Sequence, residues 1–128
     1  RSLFEQAGVA DHCDLIGGDF FESIPPGADA YLMRHIIHDW NDDKSLTILK
    51  NCHTALPENG KLLIIESVID PGNAPFMGKF VDLVMLLVTG GKERKAEQFR
   101  SLYQRAGFEL TGIFPTETEL SIIEGVKR

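Results

Sequence analysis

A nearly unbroken apolar run from Lys61 to Ile69 is the feature that most restricts the fold of this chain. Such a run, rich in leucine and isoleucine and without polar alternation, is typical of a strand that other elements cover on both faces. An amphipathic segment precedes it, in which Asp42 or Asp43 is expected to cap a helix that runs to about Leu56. A buried strand after an amphipathic helix predicts an α/β domain.

The rest of the chain repeats this alternation of short apolar runs and amphipathic stretches. We expect a helix end at Arg1–Gly8, strands at Cys13–Gly17 and Ala28–Met33, helices at Phe76–Leu87 and Ala96–Ala106, and final strands at Phe108–Phe114 and Leu120–Val126. Alternating strands and helices indicate a largely parallel sheet. No helix separates the last two strands, so they are expected to be antiparallel.

Composition and charge argue against several classes of partner. The chain has 128 residues, enough for one domain, and a formal net charge of −6. An acidic chain without a basic cluster argues against nucleic acid and anionic membranes. No apolar run approaches the roughly 20 residues that a membrane span needs. Cys13 and Cys52 are expected to be reduced, buried thiols in a cytoplasmic protein.

Polar residues that follow predicted strands are the candidates for a site, because parallel α/β sheets bind ligands beyond the carboxyl ends of their strands. Asp19 follows two glycines after the first predicted strand. A carboxylate there can accept hydrogen bonds from a ligand that approaches the glycine backbone, and Phe20 can stack on a flat ring. A turn aspartate beside a core phenylalanine explains the same residues, and the pattern alone favours that second interpretation.

Two histidines, His35 and His38, follow the second predicted strand. An imidazole there can act as a general base near neutral pH, since its ordinary pKa is about 6.5; a solvated His-Asp turn is the plainer alternative. A metal site is not expected, because no further ligand pair lies at usable spacing. Glu66 ends the most apolar strand, where a buried carboxylate needs a partner such as a histidine. Glu93 is the weaker candidate, because it also fits the charged first turn of the next helix.

Five short motifs, taken together, resemble the caffeate/hydroxyneurosporene-type O-methyltransferases of plants and bacteria. They are Gly-Gly-Asp-Phe-Phe at 17–21, Met-Arg-His-Ile-Ile-His-Asp-Trp at 33–40, Leu-Pro-Glu-Asn-Gly-Lys at 56–61, Ile-Glu at 65–66 and Gly-Gly-Lys-Glu-Arg at 90–94. The His-Asp-Trp and Gly-Gly-Lys-Glu-Arg motifs are the most specific. The resemblance implies an incomplete Rossmann-like class I methyltransferase domain that uses S-adenosylmethionine.

The resemblance also implies binding roles for individual residues. Asp19 and Phe20 fall where the family contacts the adenine of the cofactor. Arg34 falls where a family lysine contacts the cofactor through its backbone. Asp39 adjoins the acceptor site, and Met85 lies near a family methionine that packs on the aromatic acceptor.

By the same resemblance, His38 falls on the catalytic base, with Glu66 and Glu93 on the two acidic residues that flank it. The implied reaction transfers a methyl group to a hydroxyl of a small, aromatic acceptor. The histidine takes the hydroxyl proton and a glutamate stabilises the imidazolium, so that no metal is needed.

Parts of the family's architecture are not in this sequence, namely the glycine-rich cofactor loop, the acidic residue that holds the ribose and the N-terminal dimerisation domain. We therefore expect residues 1–128 to be the C-terminal part of the catalytic domain of a homodimeric parent, inactive alone. In the family's sheet, two strands separate Cys13–Gly17 from Ala28–Met33, so a four-stranded remnant is expected, with Cys13–Gly17 detached or abnormally paired. The alternatives are a same-fold relative of decarboxylase or hydroxylase type and a non-catalytic binding module.

Overall fold

The computed structural model describes residues 2–69, 83 and 93–128. They form helices α1 (Ser2–Gln6), α2 (Asp42–Ala55) and α3 (Ala96–Arg105), with 3₁₀ turns at Ala10–His12 and Ile37–Asp39. They also form strands β1 (Ala30–Arg34), β2 (Lys61–Glu66), β3 (Val68–Ile69), β4 (Arg94–Lys95), β5 (Phe108–Pro115) and β6 (Ser121–Lys127). Of the helix predicted at Phe76–Leu87, all residues but 83 lie outside the described residues.

Four strands form the main sheet in the order β1-β2-β6-β5. β1 and β2 are parallel and connected through α2, which is the strand–helix–strand unit that the sequence predicts. β6 is antiparallel to both β2 and β5. The α/β fold class and the antiparallel C-terminal pair are therefore confirmed, in a sheet of mixed direction. A second, two-stranded parallel sheet pairs β3 with β4.

One hydrophobic core joins the main sheet to α2 and α3. The Tyr103 hydroxyl donates to the Ile123 carbonyl over 2.7 Å, which gives the only polar atom of that buried ring a partner. Gly125 makes this packing possible, because a Cβ there would lie 2.6 Å from the tyrosine ring. Fully buried apolar side chains come from the turn after β1, both long helices and the central strands: Ile37, Ile48, Leu49, Leu62, Ile64, Phe99, Tyr103 and Ile123.

The predicted strands differ from the observed ones on the N-terminal side of the sheet. Cys13–Gly17 is exposed and forms no strand, so the predicted strand is wrong, while its predicted detachment from the sheet and the four-stranded remnant are confirmed. A strand persists only where a neighbour takes up its backbone hydrogen bonds, and the described residues offer this segment none. β1 has β2 as its one neighbour among the described strands, which leaves Leu32 60% exposed instead of buried.

Two further local predictions are wrong. The N-cap of α2 is Asn41 and not Asp42 or Asp43, because the side-chain oxygen of Asn41 accepts the Lys44 N–H over 3.0 Å. Cys52 is buried as expected, but Cys13 is exposed; both thiols are free. Among the described residues, no helix has the length and apolar character that crossing a bilayer requires.

Candidate active site

Three chain segments meet at one edge of the structure because of how the strands pair. β1 and β2 end together, with Arg34 beside Ile65, so the turn after β1 lies next to the end of β2. The strand predicted as continuous over Lys61–Ile69 is interrupted after Glu66, and β3 leaves the main sheet to pair with β4. That pairing brings Glu93, the residue before β4, to the same edge.

His38 lies at the meeting point of these segments, in the 3₁₀ turn after β1, and is 8% exposed. Its Nδ1 is 2.7 Å from Oε1 of Glu93. A carboxylate can only accept, so Nδ1 is the donor and Nε2 is the ring atom that can take a proton. The His38 backbone N–H donates to Oε1 of Glu66 over 3.1 Å. Asp39 Oδ1 lies 3.3 Å from Nε2.

The two glutamates therefore hold different parts of His38. The sequence favoured Glu66 as the partner of the ring, but the ring bonds to Glu93, while Glu66 holds the backbone. Both carboxylates are almost fully buried, at 0% exposure for Glu66 and 4% for Glu93. The hydrogen bond to Glu93 is the main cause that raises the pKa of His38 above its ordinary value, against the opposing effect of burial.

Burial has the opposite consequence for the carboxyl of Glu66, whose pKa it raises to about 7. The positive charge of His38 and its backbone N–H reduce this rise without cancelling it. Oε2 of Glu66 has no hydrogen-bond partner among the described residues. A buried carboxyl with one unsatisfied oxygen favours the protonated form, so Glu66 exchanges its proton near neutral pH.

We expect Glu66→Gln to make stability less dependent on pH. The folded pKa of Glu66 lies above the unfolded one, so the stability that its protonated form contributes is present below about pH 4.5 and is lost as pH rises through about 7. At about 1.4 kcal/mol per pKa unit, the wild type should lose on the order of 3 kcal/mol over that window. Thermal unfolding of the parent protein at pH 5 and pH 8 measures this loss for both proteins. Parallel losses in wild type and variant would show that Glu66 does not titrate in this range.

The structure distinguishes His35 from His38 as candidates for a general base, which the sequence alone does not. His35 is exposed, with its ring 5.0 Å from that of His38, and has the left-handed φ of 54°. Partial loss of hydration of this largely exposed ring, together with the neighbouring charges of His38 and Arg34, lowers its pKa. His38 is buried and bonded to a carboxylate, which are the conditions that orient a general base.

The predicted cofactor residues Asp19 and Phe20 follow Gly17 and Gly18 in a segment that borders a groove along β1. Phe20 lines an apolar groove of about 280 Å³ together with Gly17, Gly18 and side chains of β1. Its ring packs edge-on against Phe21 at 4.9 Å and remains 37% exposed. The Asp19 carboxylate accepts the Phe21 N–H over 2.8 Å, which is the turn role that the sequence offered as the plainer alternative.

Of the other predicted residues, Arg34 is exposed at the end of β1, and Met85 lies outside the described residues. Sequence reasoning gave no role to Arg94, although it stood in the most specific motif beside Glu93. Its side chain is 0% exposed, and its position after a candidate glutamate was the only available signal. Within the described ranges, no group of histidines, cysteines and carboxylates converges in a way that could hold a metal ion.

The fold and site thus define an α/β domain with a buried imidazole, bonded to a carboxylate, at the carboxyl end of two parallel strands. The family model described as "O-methyltransferase domain" matches residues 1–109. The chain therefore belongs to the O-methyltransferase domain family, which confirms the resemblance seen in the sequence.

Named relatives agree with this assignment. The chain is 46% identical to phenazine O-methyltransferase PhzM of Lysobacter antibioticus over 119 residues, which cover 93% of this chain and 35% of that protein. It is 48% identical to caffeic acid 3-O-methyltransferase of Zea mays over 99 residues, or 73% of this chain and 27% of that protein. The chain thus spans about a third of the length of the curated relatives that it matches.

Solved structures share the fold closely. The crystal structure of LaPhzM superposes with a TM-score of 0.95 at 43% identity, covering 99% of this chain and 38% of that one. A second structure is an O-methyltransferase from neocarzinostatin biosynthesis, solved with S-adenosylmethionine and 2-hydroxy-5-methyl naphthoic acid. It superposes with a TM-score of 0.88 at 31% identity, covering 99% of this chain and 37% of that one. Class I methyltransferase architecture is therefore confirmed for this part of the domain.

Proposed function

We propose that the protein containing this chain transfers a methyl group from S-adenosylmethionine to a hydroxyl of a small aromatic acceptor, with His38 as general base. The observation that carries the proposal is the 2.7 Å hydrogen bond between Nδ1 of His38 and Glu93. It fixes the ring so that Nε2 is left to receive the acceptor proton. An unheld surface imidazole would have neither a defined orientation nor a raised pKa.

The chemistry needs little more from these residues. S-adenosylmethionine supplies an electrophilic sulfonium methyl group. Nε2 of His38 would take the proton of the acceptor hydroxyl as its oxygen is methylated, and the sulfur of the cofactor would keep the electron pair of the carbon–sulfur bond that breaks. The carboxylate of Glu93 stabilises the imidazolium that results, and Glu66 keeps the backbone of the turn in place. Proton and charge are thereby balanced without a metal.

The groove beside β1 fits one end of such a cofactor. A Cβ on Gly17 or Gly18 would meet no atom within 4 Å, so there is room for a ligand against the backbone. Phe20 and apolar side chains of β1 suit a flat ring. In this proposal Asp19 and Phe20 contact the adenine and Arg34 contributes its backbone.

The acceptor side is proposed from the surroundings of His38. Asp39 lies beside Nε2 and is positioned to contact an acceptor hydroxyl. Met85, which lies outside the described residues, is proposed from the family resemblance alone as a residue that contacts the aromatic ring of the acceptor. One relative is named as a phenazine O-methyltransferase, and another was solved in complex with a naphthoic acid, which supports an aromatic acceptor. The buried His38–Glu93 pair argues against the decarboxylase or hydroxylase alternative and against a purely binding role, because neither requires an oriented base. Two free thiols suit a reducing cytoplasm, and a homodimeric parent stays a proposal from the family.

The direct test is an assay of the complete protein with methyl-labelled S-adenosylmethionine and a panel of phenols, hydroxyphenazines and hydroxynaphthoates. The amine analogue of each phenol belongs in the panel, because a dimethyltransferase acting on an amino-riboflavin shares the fold at 32% identity and a TM-score of 0.84. Label in a phenolic ether supports the proposal. Transfer to amines alone, or cofactor binding without transfer to any acceptor, would contradict it.

Residues 1–128 alone are not expected to bind S-adenosylmethionine tightly or to turn over substrate. In the described structure the groove is open along β1, whose Leu32 is 60% exposed, and Cys13–Gly17 has no strand partner. A ligand there would meet protein on one side only, and small-molecule sites bury most of their ligand. Calorimetric titration of these residues and of the complete protein measures the difference. A micromolar Kd for residues 1–128 would show that they already make the essential contacts.

A further inference from the structure

Arg94 is the largest fully buried side chain in the described part of the protein, and the proposed reaction gives it no task. A guanidinium is costly to bury unless hydrogen bonds and an opposite charge compensate for lost water. A charged group kept at 0% exposure next to a candidate catalytic glutamate therefore calls for a function. Its contacts show which part of the structure it holds.

The guanidinium bonds to main-chain carbonyls on both sides of His38. Nη1 donates to the Ile37 carbonyl over 3.1 Å, and Nη2 donates to the Trp40 carbonyl over 2.9 Å. These carbonyls enclose the 3₁₀ turn that carries His38. A single planar group thus fixes the two ends of a four-residue stretch of backbone.

The same guanidinium is anchored to the start of α2. Nε and Nη2 donate to Oδ1 of Asp42 over 3.2 and 3.0 Å, and Nη2 also donates to Oγ of Ser45 over 3.2 Å. The Ser45 hydroxyl lies 3.4 Å from each of the carbonyls of Ile37 and Trp40. The turn is therefore tied to the rigid first turn of a 14-residue helix and cannot shift alone.

We propose that Arg94 is a positioning residue that acts through His38, a role that rests on the function proposed above. Two consecutive residues then divide the work: Glu93 holds the imidazole ring, and Arg94 holds the backbone from which the ring projects. The site requires the planar guanidinium and not merely a positive charge, because Nε, Nη1 and Nη2 all donate at once, to two main-chain carbonyls and to one carboxylate. Lysine has a single nitrogen and cannot reproduce that geometry.

The test compares Arg94→Lys and Arg94→Met with the matched control Arg100→Met, an exposed arginine on α3. In the complete protein we expect Arg94→Lys to lower kcat about tenfold or more, because small misplacements of a catalytic group are costly. The Kd for S-adenosylmethionine should stay within about twofold of wild type, and Arg100→Met should behave as wild type. If Arg94→Met fails to fold, Asp42→Asn is the milder variant, because it weakens the bonds between Arg94 and the start of α2. It should also lower kcat.

A second readout does not depend on activity. NMR titration of the His38 imidazole should move toward the ordinary histidine range in Arg94→Lys, because a displaced turn weakens the bond to Glu93. Wild-type kcat together with an unchanged His38 titration in Arg94→Lys would overturn the proposal. If the wild type methylates nothing, the function proposed above fails, while the His38 titration still decides whether Arg94 positions this ring.

Discussion

Replacing His38 by glutamine is expected to lower kcat for methyl transfer by about 10²–10⁴-fold, the range in which a positioned general base contributes to catalysis. Glutamine fills a similar volume and can still bond to Glu93, but it has no nitrogen that accepts a proton near neutral pH. The Kd for S-adenosylmethionine should remain near that of wild type, because His38 is not one of the residues that line the predicted cofactor groove. Steady-state kinetics with a fixed acceptor and calorimetry with the cofactor measure the two effects separately.

Two matched variants make this prediction specific. His12→Gln changes an exposed histidine in the N-terminal 3₁₀ turn and should leave kcat unaffected. His35→Gln changes the ring 5.0 Å from His38, and should have a much smaller effect than His38→Gln, since His35 is exposed and has no buried carboxylate partner among the residues that the structure describes. If His35→Gln were the more damaging of the pair, the base would have been assigned to the wrong histidine. Activity of His38→Gln within a few fold of wild type would exclude the base role.

The candidate site residues could be chosen from the sequence, but the hydrogen bonds that connect them could not be predicted from it. His38 and Glu66 stood out because polar groups at the ends of predicted strands need an explanation. The ring partner was misassigned because the decisive contact depends on a two-residue strand pair, Val68–Ile69 with Arg94–Lys95. So short a pairing leaves no periodic pattern in the sequence. The burial of Arg94 could not be predicted either, because two of its partners are main-chain carbonyls, which every residue possesses.

The fold was predicted best where local pattern and tertiary packing agree. The helix Ala96–Arg105 and the strands Phe108–Pro115 and Ser121–Lys127 were found to within two residues, since amphipathic period and turn residues coincide there. Cys13–Gly17 shows the reverse case. Its apolar pattern is that of a strand, but a strand is defined by its neighbours, and the described structure provides none.

Glu93→Gln should have the second-largest effect, and one with a distinctive pH dependence. Hydrogen bonding to Glu93 is the main cause that raises the pKa of His38, and the base must be deprotonated to act. The wild-type kcat should therefore rise with pH through a value above the ordinary 6.5 of histidine. In the variant, burial still lowers the pKa and only the weaker effects of Glu66 and Asp39 raise it, so the acid limb should move to lower pH.

The limiting rate at high pH should meanwhile fall by roughly 10²-fold or more, because glutamine neither stabilises the imidazolium nor fixes which ring nitrogen carries the proton. The deficit of the variant should thus be largest above the wild-type pKa and smallest at acid pH, where wild-type His38 is itself protonated. General damage to the fold would lower the rate equally at every pH. Glu97→Gln, an exposed glutamate in the first turn of α3, is the control and should reproduce the wild-type profile. An acid limb that stays in place in Glu93→Gln would show that Glu93 does not set the protonation of His38.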